Sequence, residues 1–310
     1  MTPASAPAAA PEFRKEPGAR WRAIRPSPLG RAVGRWLGIV PFGAYVALGL
    51  LVPTIAIAVK AFANYNASGY TLANVKSAAT GIYRTGYITD FKLSVTAAII
   101  PGILGLLVAY AIFTAKRASV LRRVAITASG VFANFGGVPL AFLFIATLGP
   151  TGILTGWLAD LHENPYNHGF TLFTANGVFL AYCYFQIPLM VLVILPALEG
   201  LRPAWREAAH NLGARTWQYW RYVGLPVLTP AILGCMLLLF GSSFSAYATA
   251  EAMTTGTIPL TPVQIGTLLN GNVLANPNVG NALSFGIIIV IAVIMIIYTY
   301  LQRRAARWLR

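Results

Sequence analysis

The stretch VGNALSFGIIIVIAVIMIIYTYL, residues 279–301, decides the fold class of this chain. It runs without one charged side chain and is long enough, at about 1.5 Å per helical residue, to cross about 30 Å of hydrocarbon. Similar apolar stretches recur at about 38–60, 91–115, 124–148, 172–198 and 224–248, which predicts six transmembrane helices. Composition agrees: the chain is 57% hydrophobic and 10% charged, with mean hydropathy +0.65, where a soluble domain carries about 25% charged residues. The reading is an all-α integral membrane protein. The third predicted span contains Gly136-Gly137-Val138-Pro139, a break tolerated in lipid only where neighbouring protein or water satisfies the freed backbone groups.

The net charge of +15 invites a nucleic-acid reading until the charges are placed on this topology. Nineteen of the 23 Lys and Arg fall in the 14–35 tail, after the second span at 116–123, between spans four and five at 202–221, and at 303–310. Lys60, Lys76, Arg84 and Lys92 alone fall on the other side or its boundary. This is a positive-inside bias, and it predicts an even number of spans with both termini in the cytoplasm. The basic balance reports orientation and the expected partner is the bilayer, with no nucleic acid. Cys183 and Cys235 lie within spans, with no spacing for a zinc site or a disulfide framework.

The expected organisation has four parts. Residues 1–36 form a basic, partly disordered tail rich in Ala and Pro, with Trp21 to Arg35 suited either to the inner interface or to a solvated linker. Residues 37–90 hold the first span and an outer loop at 62–90. Residues 91–301 hold five further spans, with outer loops at 149–171 and 249–278, and residues 302–310 form a basic cytoplasmic end.

Between the fourth and fifth spans lies a stretch with its own pattern, at 199–226. It contains Glu207-Ala208-Ala209-His210-Asn211-Leu212-Gly213 and, nine residues later, Val223-Gly224-Leu225-Pro226. Pro203 suits a first helical turn, where its missing N–H costs nothing. Ala208 and Ala209 favour helix and let a partner approach closely, and Gly213 suits the left-handed stop of a helix. Pro226 is tolerated at the start of the next span. The pattern resembles the EAA loop of ABC importer permeases: E-A-A, three residues, G, nine residues, I, one residue, L-P. Val223 stands in place of the Ile.

The resemblance covers roughly residues 90–300 and implies the type I importer permease fold. In that family the loop is a coupling helix docking on a separate ATPase, which assigns ATPase coupling to Glu207, Ala208, Ala209, Gly213, Leu225 and Pro226. It implies two copies of the ATPase, with ATP and Mg bound there and no cofactor on this chain. It further implies a second permease subunit of different sequence, an extracytoplasmic solute-binding protein, and the plasma (inner) membrane. The stretch Ala133-Asn134-Phe135-Gly136-Gly137-Val138-Pro139-Leu140-Ala141-Phe142 is similar to a segment of spermidine/putrescine-type permeases, implying a polyamine, with another small solute as the alternative.

Polar residues inside spans face a cavity or another helix, since lipid disfavours them. Asn134, Tyr182, Tyr184, Gln186, Ser242 and Ser245 are therefore candidates for the solute path, with helix–helix packing the competing reading. No Asp or Glu is expected inside a span, since Asp90, Asp160, Glu163 and Glu251 are placed in or beside outer loops. That weighs against a proton-coupled mechanism. No phosphate-binding G-x-x-x-x-G-K-[ST] loop is present, His162, His168 and His210 form no metal-site pattern, and no nucleophile–base pattern supports a catalytic residue. The expectation is a transport subunit and not an enzyme. An ATP-independent secondary transporter, with the same hydropathy, is the alternative that has no need of the 207–226 pattern.

Overall fold

The computed structural model describes residues 40–65, 68–115, 119–271 and 276–306. The expected tail at 1–36, Lys116, Arg117, Arg307 and Arg310 lie outside the described residues. By internal contacts the chain divides into residues 1–53 and 54–310. The described part of the first is helical with mostly exposed side chains.

Among the described residues, six helical stretches are long and apolar enough to cross a membrane. The first, α1 (Val40–Phe62), contains a π-turn at Ala47–Leu51. A short α2 (Ala73–Ala78) leads to α3 (Gly81–Thr114), the longest helix. Then come α4 (Val120–Asn134), α5 (Val138–Leu148) and α6 (Ile153–Asp160). The fourth span is α7 (Ala175–Glu199). It is followed by α8 (Pro203–Asn211), α9 (Thr216–Tyr219), a π-turn at Trp220–Gly224 and α10 (Leu225–Phe244). The chain closes with α11 (Ala248–Thr254), α12 (Thr261–Gly266), a π-turn at Thr267–Gly271 and α13 (Pro277–Ala306).

Helices α3 and α7 pack along most of their lengths, with α4 and α10 beside them. The reason is a stripe of small residues on α3. Ala97, Ala98, Pro101, Gly102, Gly105 and Ala109 are buried there. A Cβ at Gly105 would lie 2.5 Å from Met190 Cβ and 2.7 Å from the Ile187 carbonyl oxygen. In lipid no hydrophobic force draws helices together, so such close backbone approach supplies the van der Waals attraction. One core then forms around Met190, Ile194 and Leu198 of α7 with Leu239 and Phe244 of α10. A second joins Leu140 and Phe144 of α5 to Tyr182 of α7 and Met253 of α11. At the far end Asn74 of α2 donates from Nδ2 to the Ala61 and Ala63 carbonyls at 3.2 and 2.8 Å, and Asn278 of α13 donates to Ala63 at 3.1 Å.

Three expectations are corrected. The third span at 124–148 is not one helix. It is α4, of 15 residues, and α5, of 11, about 22 and 16 Å long and each too short to cross. The stretch that qualifies is Val138–Asp160, which joins α5 to α6. The cause is Gly137, at φ 75° and ψ −151°, a conformation open only to glycine. Thr249 of α11 satisfies the freed backbone: its Oγ1 accepts from Gly137 N–H at 2.9 Å and donates to Gly137 O at 3.2 Å. Second, α3 begins at Gly81, so the outer loop predicted to run to 90 ends earlier and Asp90 sits inside a spanning helix, buried. Third, the loops at 149–171 and 249–278 are largely helical, holding α6, α11 and α12.

Candidate coupling site

The start of α4 meets the end of α7, where Arg122 of α4 pairs with Glu199 of α7. Ser119 caps α4 by accepting from the Arg122 N–H at 3.2 Å, satisfying one of the helix's orphan donors. Here the chain leaves α7, buries Leu201 in the core, and starts α8 with Pro203 in its first turn.

Helix α8 stops by a mechanism that its residues dictate. The Gly213 N–H bonds to the His210 carbonyl at 2.9 Å and the Ala214 N–H to the Ala209 carbonyl at 3.0 Å. This pair is a Schellman motif, which needs a left-handed residue at the turn; Gly213 supplies it at φ 78°. Glu207 and Ala208 are exposed and Ala209 half-buried. Leu212, the residue after the helix, is 87% exposed. Trp205, Ala208, Ala209 and Leu212 face Val223 and Val227 across a groove of about 550 Å³. Glu207 makes no ion pair among the described residues.

The return to the fifth span is held by specific contacts. The Arg215 N–H donates to Gln218 Oε1 at 2.7 Å, closing the start of α9. The Trp220 ring stands edge-on to Tyr110 of α3, centroids 5.2 Å apart, and to Tyr219 at 5.6 Å. A Cβ at Gly224 would come within 2.6 Å of that indole, so the glycine lets the π-turn close over it. Leu225 and Pro226 open α10. The Arg202 guanidinium lies over Trp205 at 5.8 Å and that of Arg221 over Trp217 at 5.3 Å. The sequence reading missed the Tyr110–Trp220 contact and the Arg122–Glu199 pair. Both join residues more than seventy positions apart, and pattern along the chain carries no signal for them.

The path candidates separate into two groups. Tyr182 and Gln186 are buried, 1% and 0% exposed. The Tyr182 hydroxyl donates to the Ala246 carbonyl at 3.3 Å, and Gln186 Nε2 donates to Ser243 Oγ and, at 3.4 Å, to the Leu239 carbonyl. Both are occupied by packing of α7 against the 239–246 stretch. Asn134 and Ser245 are exposed and Ser242 half-buried, with Asn134 Nδ2 turned back to the Gly130 carbonyl at 2.9 Å. Tyr184 sits among Phe132, Phe135 and Phe144, centroids 5.5, 6.2 and 6.0 Å away. The break after α4 thus brings Tyr184 and Asn134 to one region and leaves Gln186 and Tyr182 inside the helix packing. No group of three His, Cys, Asp or Glu side chains that could hold a metal occurs among the described residues.

Comparison with known proteins adds an independent line. The family model described as "Binding-protein-dependent transport system inner membrane component" matches residues 102–310. The sulfate transport system permease protein CysT of Escherichia coli (strain K12) is 33% identical over 111 residues, 36% of this chain and 36% of that protein. The spermidine/putrescine transport system permease protein PotB of Haemophilus influenzae is 30% identical over 156 residues, 49% of this chain and 52% of that protein. The chain thus spans about a third to a half of the length of these curated relatives. A crystal structure of a bacterial ABC transporter involved in the import of the acidic polysaccharide alginate has a chain that superposes with a TM-score of 0.71 at 18% identity, covering 90% of this chain and 99% of that one. The expected fold, that of ABC importer permeases, is the one found.

Proposed function

The chain belongs to the family of binding-protein-dependent transport system inner membrane components, and from that premise we propose that it is the permease subunit of an ATP-driven importer of a small solute. The family is a membrane component of transport systems and not an enzyme. The observation that carries the rest is α8: a helix outside the spans, exposing Glu207 and Leu212, stopped by a glycine, and fixed to the spans through Trp220 and Tyr110. In this reading α8 docks on a separate ATPase, present in two copies, which binds ATP and Mg. Glu207 makes the polar contact, Ala208 and Ala209 give close approach, and Gly213, Leu225 and Pro226 set the shape of the loop.

Closure of the ATPases then pulls α8, and the Trp220–Tyr110 contact passes that pull to α3. The spans alternate between inward-open and outward-open states because nucleotide binds one state better than the other. A second permease subunit of different sequence completes the path, and a solute-binding protein delivers to the outer face. Both termini lie in the cytoplasm, as the positive-inside bias supports, and the membrane is the inner one. Asn134, Tyr184, Ser242 and Ser245 line the path. A polyamine is the solute favoured by the Ala133–Phe142 likeness, and another small solute is the alternative. The relatives matched include permeases named for sulfate and for spermidine/putrescine, solutes of opposite charge, so likeness alone does not choose.

The test is solute-stimulated ATPase activity of the complex co-purified with products of adjacent genes, for wild type, Glu207→Ala and Gly213→Val. Loss of stimulation with the membrane fold intact supports the reading. Transport by this chain with no ATPase bound refutes it in favour of a secondary transporter. A screen of solutes against the binding protein then decides the polyamine assignment.

A further inference from the structure

The buried stripe of α3 carries polar residues where its neighbours are small or apolar. Gly86, Asp90 and Ser94 follow one another at one-turn intervals on that face. Asp90 is 1% exposed, and Ser94 and Thr261 are fully buried. Helix α12 lies against this face: the Thr261 hydroxyl faces the Asp90 carboxyl, and Gln264 covers Gly86, its Nε2 donating to the Ile82 carbonyl at 3.1 Å. The two helices are thereby set antiparallel, Thr261 opposite Asp90 and Gln264 opposite Gly86.

Asp90 Oδ2, Ser94 Oγ, Thr261 Oγ1 and Gln264 Oε1 are all buried, and beyond the approach of Thr261 to Asp90 none has a hydrogen-bond partner among the described residues. Four such oxygens at one seam depart from the rule that buried polar atoms are paired. The nearby phenols are committed elsewhere. Tyr87 donates to the Leu283 carbonyl at 2.5 Å and Tyr182 to the Ala246 carbonyl at 3.3 Å. Asp90 takes part in neither ion pair found among the described residues. Lys92, two positions along α3, leaves the helix on the opposite side and is exposed.

A buried carboxyl without a cationic side chain is either protonated or held ionised by a compensating positive charge. The donor set is entirely oxygen, which suits hard cations and not zinc or copper. It holds one carboxylate, matching a single positive charge; a divalent cation such as calcium draws on more acidic ligands. We propose that Asp90, Ser94 and Thr261 hold an alkali metal cation of sodium size at the seam between α3 and α12, with the Gln264 carbonyl oxygen beside them. The cation fastens the segment between α10 and α13 to the longest spanning helix, independently of the solute and of the ATPase.

The test uses the full chain in lipid nanodiscs at constant pH and ionic strength. Radioactive sodium binding is measured directly, and thermal unfolding is compared in sodium and choline chloride. Saturable binding of about one sodium per chain is expected, with a midpoint about 3 °C higher in sodium. Asp90→Asn, close in shape, should abolish both effects, while Asp160→Asn, at an exposed carboxylate, should change neither. Should Asp90→Asn fail to fold, Ser94→Ala with Thr261→Val keeps the carboxylate and should weaken sodium binding at least tenfold. The proposal is overturned if sodium and choline act alike, if only pH moves the midpoint, or if sodium binding survives Asp90→Asn or the double substitution.

Discussion

Replacing Gly213 tests whether α8 needs a particular backbone or merely a small side chain. The residue holds φ 78°, and apart from its chain neighbours no atom of the described residues lies within 4 Å of where a Cβ would project. A side chain therefore meets no steric obstacle in this subunit, and the whole cost is conformational. An L-residue in the left-handed region costs about 1–2 kcal/mol, which is about a 5–30-fold shift in the population of the closed turn. A nine-residue helix is marginal on its own, so loss of its stop propagates backwards toward Glu207. Amide hydrogen exchange on the protein in nanodiscs reads this directly at the Gly213 and Ala214 positions, whose N–H groups close the turn at 2.9 and 3.0 Å. Gly213→Ala should lower protection by about 5–30-fold and Gly213→Val by more. Gly213→Asn, which tolerates the left-handed region, should stay near wild type. Coupled ATPase activity should follow the same order. Equal protection in Gly213→Ala and wild type, or Gly213→Asn as damaging as Gly213→Val, would refute the argument.

Two further outcomes follow from hydrogen bonds. Thr249→Val keeps the shape of the side chain but leaves Gly137 N–H and O without their partner. It should destabilise the protein by about 1–3 kcal/mol, read as a lower midpoint of thermal unfolding in detergent. Gln186→Leu removes a buried amide whose Oε1 has no partner, so stability should change by less than about 1 kcal/mol and solute uptake should be unaltered. A large, solute-dependent loss of uptake in Gln186→Leu would instead return that residue to the path.

The membrane class, the number of spans and the α8 stop were legible along the chain because each rests on short-range physics. Span length answers to hydrocarbon thickness, the basic segments to the positive-inside bias, and Gly213 to the left-handed conformation that commonly ends a helix. The split of the third span was half legible. Gly136-Gly137-Val138-Pro139 marks a break, but only the tertiary structure reveals that Thr249, more than a hundred residues away, satisfies it. The same holds for polar residues inside spans. Gln186 and Asn134 carry the same amide in sequence, yet one is 0% exposed against Ser243 and the other lies at a surface. Hydropathy gives the number of apolar residues and not the direction each side chain takes, which depends on which helix packs beside it. Asp90 is the sharpest case. Hydropathy, which is blind to helix continuity, placed it outside the spans, while α3 runs through it and packing with α12 buries it. What the sequence determined alone is the set of elements and their medium. What the tertiary structure decided is the partner of each polar atom, because hydrogen bonding and burial in a bundle are set by contacts between helices distant along the chain.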